Sequence, residues 1–257
     1  MHQVMDVDRQ IVWCFFGFNG SPQVTVQEIG AMCASRGVVF HTDAAQAVGK
    51  IALDARSMQI GMMSISGHKI YGPKGVGALY VRSQPEVPLS PLTLGGGQEH
   101  GLRAGTLPAA LCVGLGVACR VAAGEMAADN RRISGLRHTL YDGLCEKLPG
   151  VVTNGDTSFQ IPGNLSLSFD GIDAEELIME VKDLAMSTGS ACSSTTIGPS
   201  HVLQALGIDD DQAHSTIRIG IGRFTTGAEI DFAVARVASA VRLLRIAKAE
   251  DHCSASS

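Results

Sequence analysis

Four short, near-continuous apolar runs in the first third of the chain constrain its fold most: residues 11–16 (IVWCFF), 38–41 (VVFH), 62–65 (MMSI) and 75–81 (GVGALYV). A strand with one wet face alternates polar and apolar residues, whereas a strand covered on both faces does not. Runs of this kind therefore read as a mainly parallel sheet flanked by helices. Residues 24–35, stopped by Gly37, and a short stretch around 53–58 supply the intervening helices. In such sheets ligands sit at the carboxyl ends of the strands.

The Gly-rich segment 89–106 (LSPLTLGGGQEHGLRAGT) reads as a loop or junction, beyond which the chain becomes helical. An Ala-rich helix over 107–124 is followed by a second, with Ile133, Leu136, Leu140, Leu144 and Leu148 on one stripe, ended by Pro149-Gly150. A small α+β unit follows, with strands at 164–169, 184–187 and 216–221 and a helix at 173–183. A last helix carries Ile230, Val234, Val237, Val241 and Leu244 on one face, and the tail AEDHCSASS reads as frayed. The expected organisation is a first domain over 1–106 and a helical connection plus small domain over 107–257.

Composition narrows the function. In 257 residues, 45% hydrophobic content excludes a disordered chain, and a net charge of -5 without a Lys/Arg block leaves no footprint for nucleic acid or an anionic membrane. No apolar run reaches the roughly 20 residues of a membrane span, and the first ten residues carry no targeting pattern. The odd count of 7 cysteines suits reduced thiols, and no CxxC pair points to a metal. Cys14, Cys112 and Cys119 sit in apolar runs and read as buried and inert.

Chemistry concentrates in residues 62–81, MMSISGHKIYGPKGVGALYV, where a buried strand runs into Ser66, Gly67, His68 and Lys69. Desolvation at a strand end lowers an amine's pKa and makes it a nucleophile toward a carbonyl, the requirement for a Schiff base. On the neighbouring strand end, HTDAAQ supplies Asp43 and Gln46, although Asp43 also reads as a helix N-cap. No nucleotide-binding Gly motif follows any strand. A Lys and an Asp on adjacent strand ends fit pyridoxal 5'-phosphate, the Lys binding the aldehyde and the Asp keeping the pyridine nitrogen protonated. Cys192 lies in 186–200, MSTGSACSSTTIGPS, small and polar residues that read as an exposed loop.

Five segments in order, FHTDAAQAVGK, SGHKIYGPKGVGALYV, GGGQEHGLRAGT, STGSACSS and STIRIGIGRFTT, resemble motifs of the group I cysteine desulfurases, the NifS/IscS/Nfs1 family. The resemblance implies a fold-type I PLP-dependent transferase of the aminotransferase class V kind, with an incomplete large domain and a small C-terminal α+β domain. It also implies a homodimer that takes sulfur from L-cysteine, leaves L-alanine and passes a cysteine persulfide to an iron–sulfur scaffold or another sulfur-acceptor protein. By the same resemblance Lys69 holds the cofactor, Asp43 faces its ring nitrogen, Gln46 its phenolic oxygen, and Ser66 and His68 its phosphate. His68 doubles as an acid/base group, Thr106 reaches the phosphate from the other subunit, Arg218 binds the substrate carboxylate, and Cys192 is the nucleophile. The family's phosphate-binding turn and stacking histidine have no counterpart, so the chain reads as N-terminally truncated or divergent. The family's NNEIGT-like segment falls at 18–23, where FNGSPQ stands, and His100 replaces an arginine. A non-catalytic partner of a full-length relative and a selenocysteine lyase are the alternatives. The wording of the motifs places the chain in the mitochondrial matrix, with the cytoplasm as the alternative.

Overall fold

A computed structural model describes residues 11–15, 25–188 and 201–255. The chain forms two compact units, with the division near residue 126, inside a long helix.

The first unit is built on a four-stranded sheet in the order of the chain: β1 (Ile11–Phe15), β2 (Val39–Asp43), β3 (Met62–Ser66) and β4 (Gly77–Val81). The β1–β2 and β2–β3 pairs are parallel, but β4 returns antiparallel to β3, pairing Ser66 with Gly77 and Met62 with Val81. The run 75–81 is thus not a doubly buried parallel strand. Gly77, Ala78 and Leu79 are exposed, and the strand is antiparallel because only ten residues separate β3 from β4, too few for a parallel crossover. Helix α1 (Val26–Ser35) starts on Thr25, whose side chain accepts the Glu28 N–H while Glu28 bonds back to the Thr25 N–H, a reciprocal cap. It covers Phe40, Ala44, Ile60 and Met63 from one side. Residues 55–59 form turns, not the short helix expected there.

Helix α2 (Ala109–Lys147) is one helix where two were expected. Gly124 costs only about 1 kcal/mol in a helix, and no proline interrupts the segment, so nothing local stops it. By length and composition alone its apolar stretch would suffice to cross a membrane, where the sequence pattern was expected to hold no such span. Val113, Val117 and Val121 follow one another along one side of it, all exposed, and the loop before it exposes Leu92 and Leu94 almost completely.

The second unit is an antiparallel sheet of order β5-β6-β8-β7, made of β5 (Val151–Thr153), β6 (Asn164–Phe169), then, after helix α3 (Ala174–Glu180), β7 (Met186–Thr188). Short helices α4 (His201–Ala205) and α5 (Asp210–His214) precede β8 (Thr216–Gly220), and α6 (Gly227–Ala255) closes the chain. The helix continues to Ala255, within the tail that reads as frayed. In NLSLSF and TIRIG the apolar residues alternate, and Leu165, Leu167, Phe169, Ile217 and Ile219 face a core completed by Leu140 and Leu144 of α2 and Val237 and Val241 of α6. Each such fully buried aliphatic side chain contributes about 1.5–3 kcal/mol. The sequence pattern misses β5, α4 and α5, which are three to five residues long and too short to show a period.

Candidate functional site

The parallel register of β2 and β3, with Asp43 opposite Ser64, brings the carboxyl ends of both strands to one edge of the first unit's sheet. Asp43 closes β2 and accepts the Ala45 N–H on Oδ1 at 2.9 Å, so it caps the turns of residues 45–50 rather than a helix. Those turns carry Gln46 and Lys50. At the end of β3 the chain enters a single 3-10 turn, Gly67–Ile70, that holds His68 and Lys69. Gly67 is required here. A Cβ at that position would stand 2.9 Å from the Val76 carbonyl oxygen and 3.1 Å from that of Pro73, the backbone against which the turn is folded. Ser66 Oγ and His68 Nδ1 are 3.0 Å apart, so the hydroxyl and the imidazole form one polar pair.

The electrostatics of this edge differ from the expectation in one respect. Lys69 is exposed, as is His68, because the turn leaves the sheet rather than continuing its buried row. The desolvation expected of Lys69 falls on Lys50, which the sequence reading passed over. Its half-buried amine donates to Gln46 Oε1 at 2.6 Å, and burial, reinforced by the positive charge on Lys69, holds it below the ordinary lysine range. A spacing of four residues in QAVGK was the available signal. Behind Asp43, His41 is only 2% exposed and pairs with Ser64 Oγ at 2.9 Å. Burial pushes its imidazole below the usual histidine range, with Asp43 opposing.

Thr106 is exposed at the end of the Gly-rich loop, in the same unit. The Arg103 guanidinium donates to the carbonyls of Ala104 and Gly105, at 3.2 and 2.9 Å, and the Gly105 N–H donates to Gln98 Oε1. The loop is therefore folded on its own polar groups just before Thr106.

Arg218 belongs to the second unit, half-buried at the centre of β8, with Ser166 of β6 and Ser187 of β7 as its opposite numbers. Residues paired in register share a face, so this face of the sheet is polar. Beside it Asn154, Ser166, Ser168 and Thr216 are all buried and bonded to one another. Asn154 Nδ2 donates to Ser168 Oγ at 2.9 Å, Ser168 and Thr216 hydroxyls are 2.7 Å apart, and Thr216 donates to the Gln212 carbonyl. The sequence reading did not single out this cluster, since isolated serines in a strand look like a solvent-facing row. Met186–Thr188 is a strand, not loop. Cys192, together with segment 18–23, lies outside the described residues. Cys112 is exposed and Cys119 half-exposed, so neither is the buried thiol expected, because the apolar run that holds them forms an uncovered part of α2; Cys33 is buried.

Comparison with known proteins agrees with this architecture. The chain is 55% identical over 220 residues to the human protein named cysteine desulfurase, an alignment covering 86% of this chain and 48% of that protein. It is 54% identical, over the same shares, to the mitochondrial cysteine desulfurase of Drosophila melanogaster. The chain thus spans about half the length of the curated relatives it matches. Among solved structures, a NifS-like protein superposes with a TM-score of 0.79 at 28% identity, covering 94% of this chain and 63% of the other. The aminotransferase class-V family model matches residues 19–232, which take in β2 through β8 and the edge where Asp43 and Lys69 lie, and the chain belongs to that family.

Proposed function

We propose that this chain carries the core of a pyridoxal 5'-phosphate-dependent cysteine desulfurase. The observation that carries the proposal is the placement of Asp43 and the Ser66–Lys69 turn at the carboxyl ends of adjacent parallel strands. The donor set fits the cofactor. There is one carboxylate for a protonated ring nitrogen, an accessible primary amine for the aldehyde, and a hydroxyl–imidazole pair for a phosphate. When bound, the cofactor supplies an electron sink that weakens the bonds at the substrate's carbons.

In this reading Lys69 holds the cofactor, Asp43 the ring nitrogen, Gln46 the phenolic oxygen, and Ser66 and His68 the phosphate. His68 also moves a proton at its imidazole nitrogen. Arg218 takes the α-carboxylate of L-cysteine through a bidentate pair. The Cys192 thiolate takes the substrate sulfur: an S–S bond forms, the carbon–sulfur bond breaks, and a proton replaces sulfur on carbon to give L-alanine. The persulfide then passes to an iron–sulfur scaffold or another acceptor protein. A second copy of the chain contributes Thr106 and covers the exposed apolar side of α2 and its preceding loop, which supports a homodimer. Residues 1–106 form part of the cofactor domain, and 107–257 the connecting helix and small domain. The compartment in this reading is the mitochondrial matrix, the names of several relatives supporting the organelle.

The purified chain supplied with pyridoxal 5'-phosphate is expected to show the visible absorbance of the lysine-bound cofactor, lost in Lys69→Ala. A chain that stays colourless in excess cofactor overturns the proposal in favour of a non-catalytic partner of a full-length relative. Cys192→Ser should keep the absorbance and form no persulfide from L-cysteine, and persulfide on another cysteine would refute that assignment.

A further inference from the structure

The turns after β2 bring a second lysine to the edge where Asp43 and Lys69 lie. Lys50 Nζ is 2.6 Å from the amide of Gln46, four residues earlier, and the lysine is half-buried. An ammonium has three donors and no acceptor, so the amide atom it touches is the oxygen. A glutamine amide has two ends of nearly equal shape and opposite polarity, and this contact selects between them.

We propose that Lys50 is a positioning residue for Gln46: by holding Oε1 it leaves the amide NH2 as the end presented to the site, a donor for the phenolic oxygen of pyridoxal 5'-phosphate. The identity of the ligand rests on the function proposed above, but the orientation of the amide does not. Without Lys50 the amide can turn either end to the site, and its oxygen facing a phenolic oxygenate opposes two lone pairs.

The test has one arm without cofactor and one with it. In protein labelled with 15N-glutamine, the Gln46 side-chain resonance is identified by its loss in Gln46→Leu. It is expected to move in Lys50→Met, which keeps an unbranched stem, and to return toward its original position in Lys50→Arg. Titration with pyridoxal 5'-phosphate followed by visible absorbance should show affinity weakened roughly tenfold in Lys50→Met, the worth of one hydrogen bond. Lys50→Arg should restore most of it, and Lys50→Met added to Gln46→Leu should weaken binding no further. An unmoved Gln46 resonance in Lys50→Met, or losses that add in the double variant, overturns the proposal. If the wild-type chain takes up no cofactor, the proposed function fails, while the resonance still decides whether Lys50 orients Gln46.

Discussion

Asn154 offers the sharpest test of how the second unit is held together. Its side chain is 2% exposed and donates to Ser168 Oγ at 2.9 Å and to Ser166 Oγ and Thr216 Oγ1 at 3.3 Å, while Oδ1 accepts from Ser168 at 3.1 Å. An amide NH2 has two hydrogens, so the four contacts amount to about three hydrogen bonds, each worth roughly 1 kcal/mol net. In Asn154→Ala the Ser168–Thr216 contact and the Thr216 bond to the Gln212 carbonyl survive, which limits the loss. The expected destabilisation is about 2–4 kcal/mol. Asn154→Asp keeps the shape but places a charge in a buried site, so at neutral pH it should cost more than alanine. Its carboxyl pKa is raised by burial, and the excess should therefore shrink as the pH falls and the group becomes neutral. Urea unfolding followed by far-UV circular dichroism gives the free energies. Hydrogen exchange over β6 and β8 assigns them to this unit, since the single tryptophan, Trp13, lies in the other. A loss below about 0.5 kcal/mol for Asn154→Ala, or unchanged exchange in β6 and β8, would refute the claim that this network fixes the sheet.

Gly30→Ala improves helix propensity by about 1 kcal/mol, yet a Cβ there would lie 2.0 Å from the Met58 carbonyl oxygen. Overpacking costs about 1–3 kcal/mol, so Trp13 fluorescence in urea should report net destabilisation of the first unit, and stabilisation would contradict the packing. Asp129 forms a salt bridge with Arg223 at 2.6 Å, just after β8, with both side chains largely buried; Asp129→Ala should cost about 1.5–3 kcal/mol by the same urea and circular dichroism assay. The pH dependence of the first unit should carry the signature of His41, whose pKa lies below its ordinary 6.5 because of burial. A depressed pKa means that the stability is fully present above pH 6.5 and is lost as the pH falls through the folded-state value. The fluorescence midpoint should drop over that range, and a His41→Gln variant should flatten the drop.

Much of the candidate site was legible because its signals are local. The strand that runs into Ser66-Gly67-His68-Lys69 and the strand that ends on Asp43 each declare themselves within a few residues, and their parallel pairing puts the two ends together. Lys50 was not legible in the same way. Its stem and charge look like any exposed lysine until the turns of residues 45–50 fold it toward Gln46. The sequence pattern does not mark Asn154, Ser166, Ser168 and Thr216 as a group, and only folding brings them together as a buried network.

The sequence by itself determined the strands β1, β2, β3 and β6, the apolar stripe of α6 and the residues gathered at the sheet edge, because each depends on periodicity or on a turn a few residues long. Tertiary structure decided that β4 runs antiparallel, that α2 is continuous, and that the half-buried amine at the edge is Lys50 rather than Lys69. The short connection rules out a parallel partner for β3, but whether the segment pairs with β3 at all depends on which backbone groups meet across the sheet, and desolvation depends on what covers a side chain. Neither is a property of neighbouring residues in the chain.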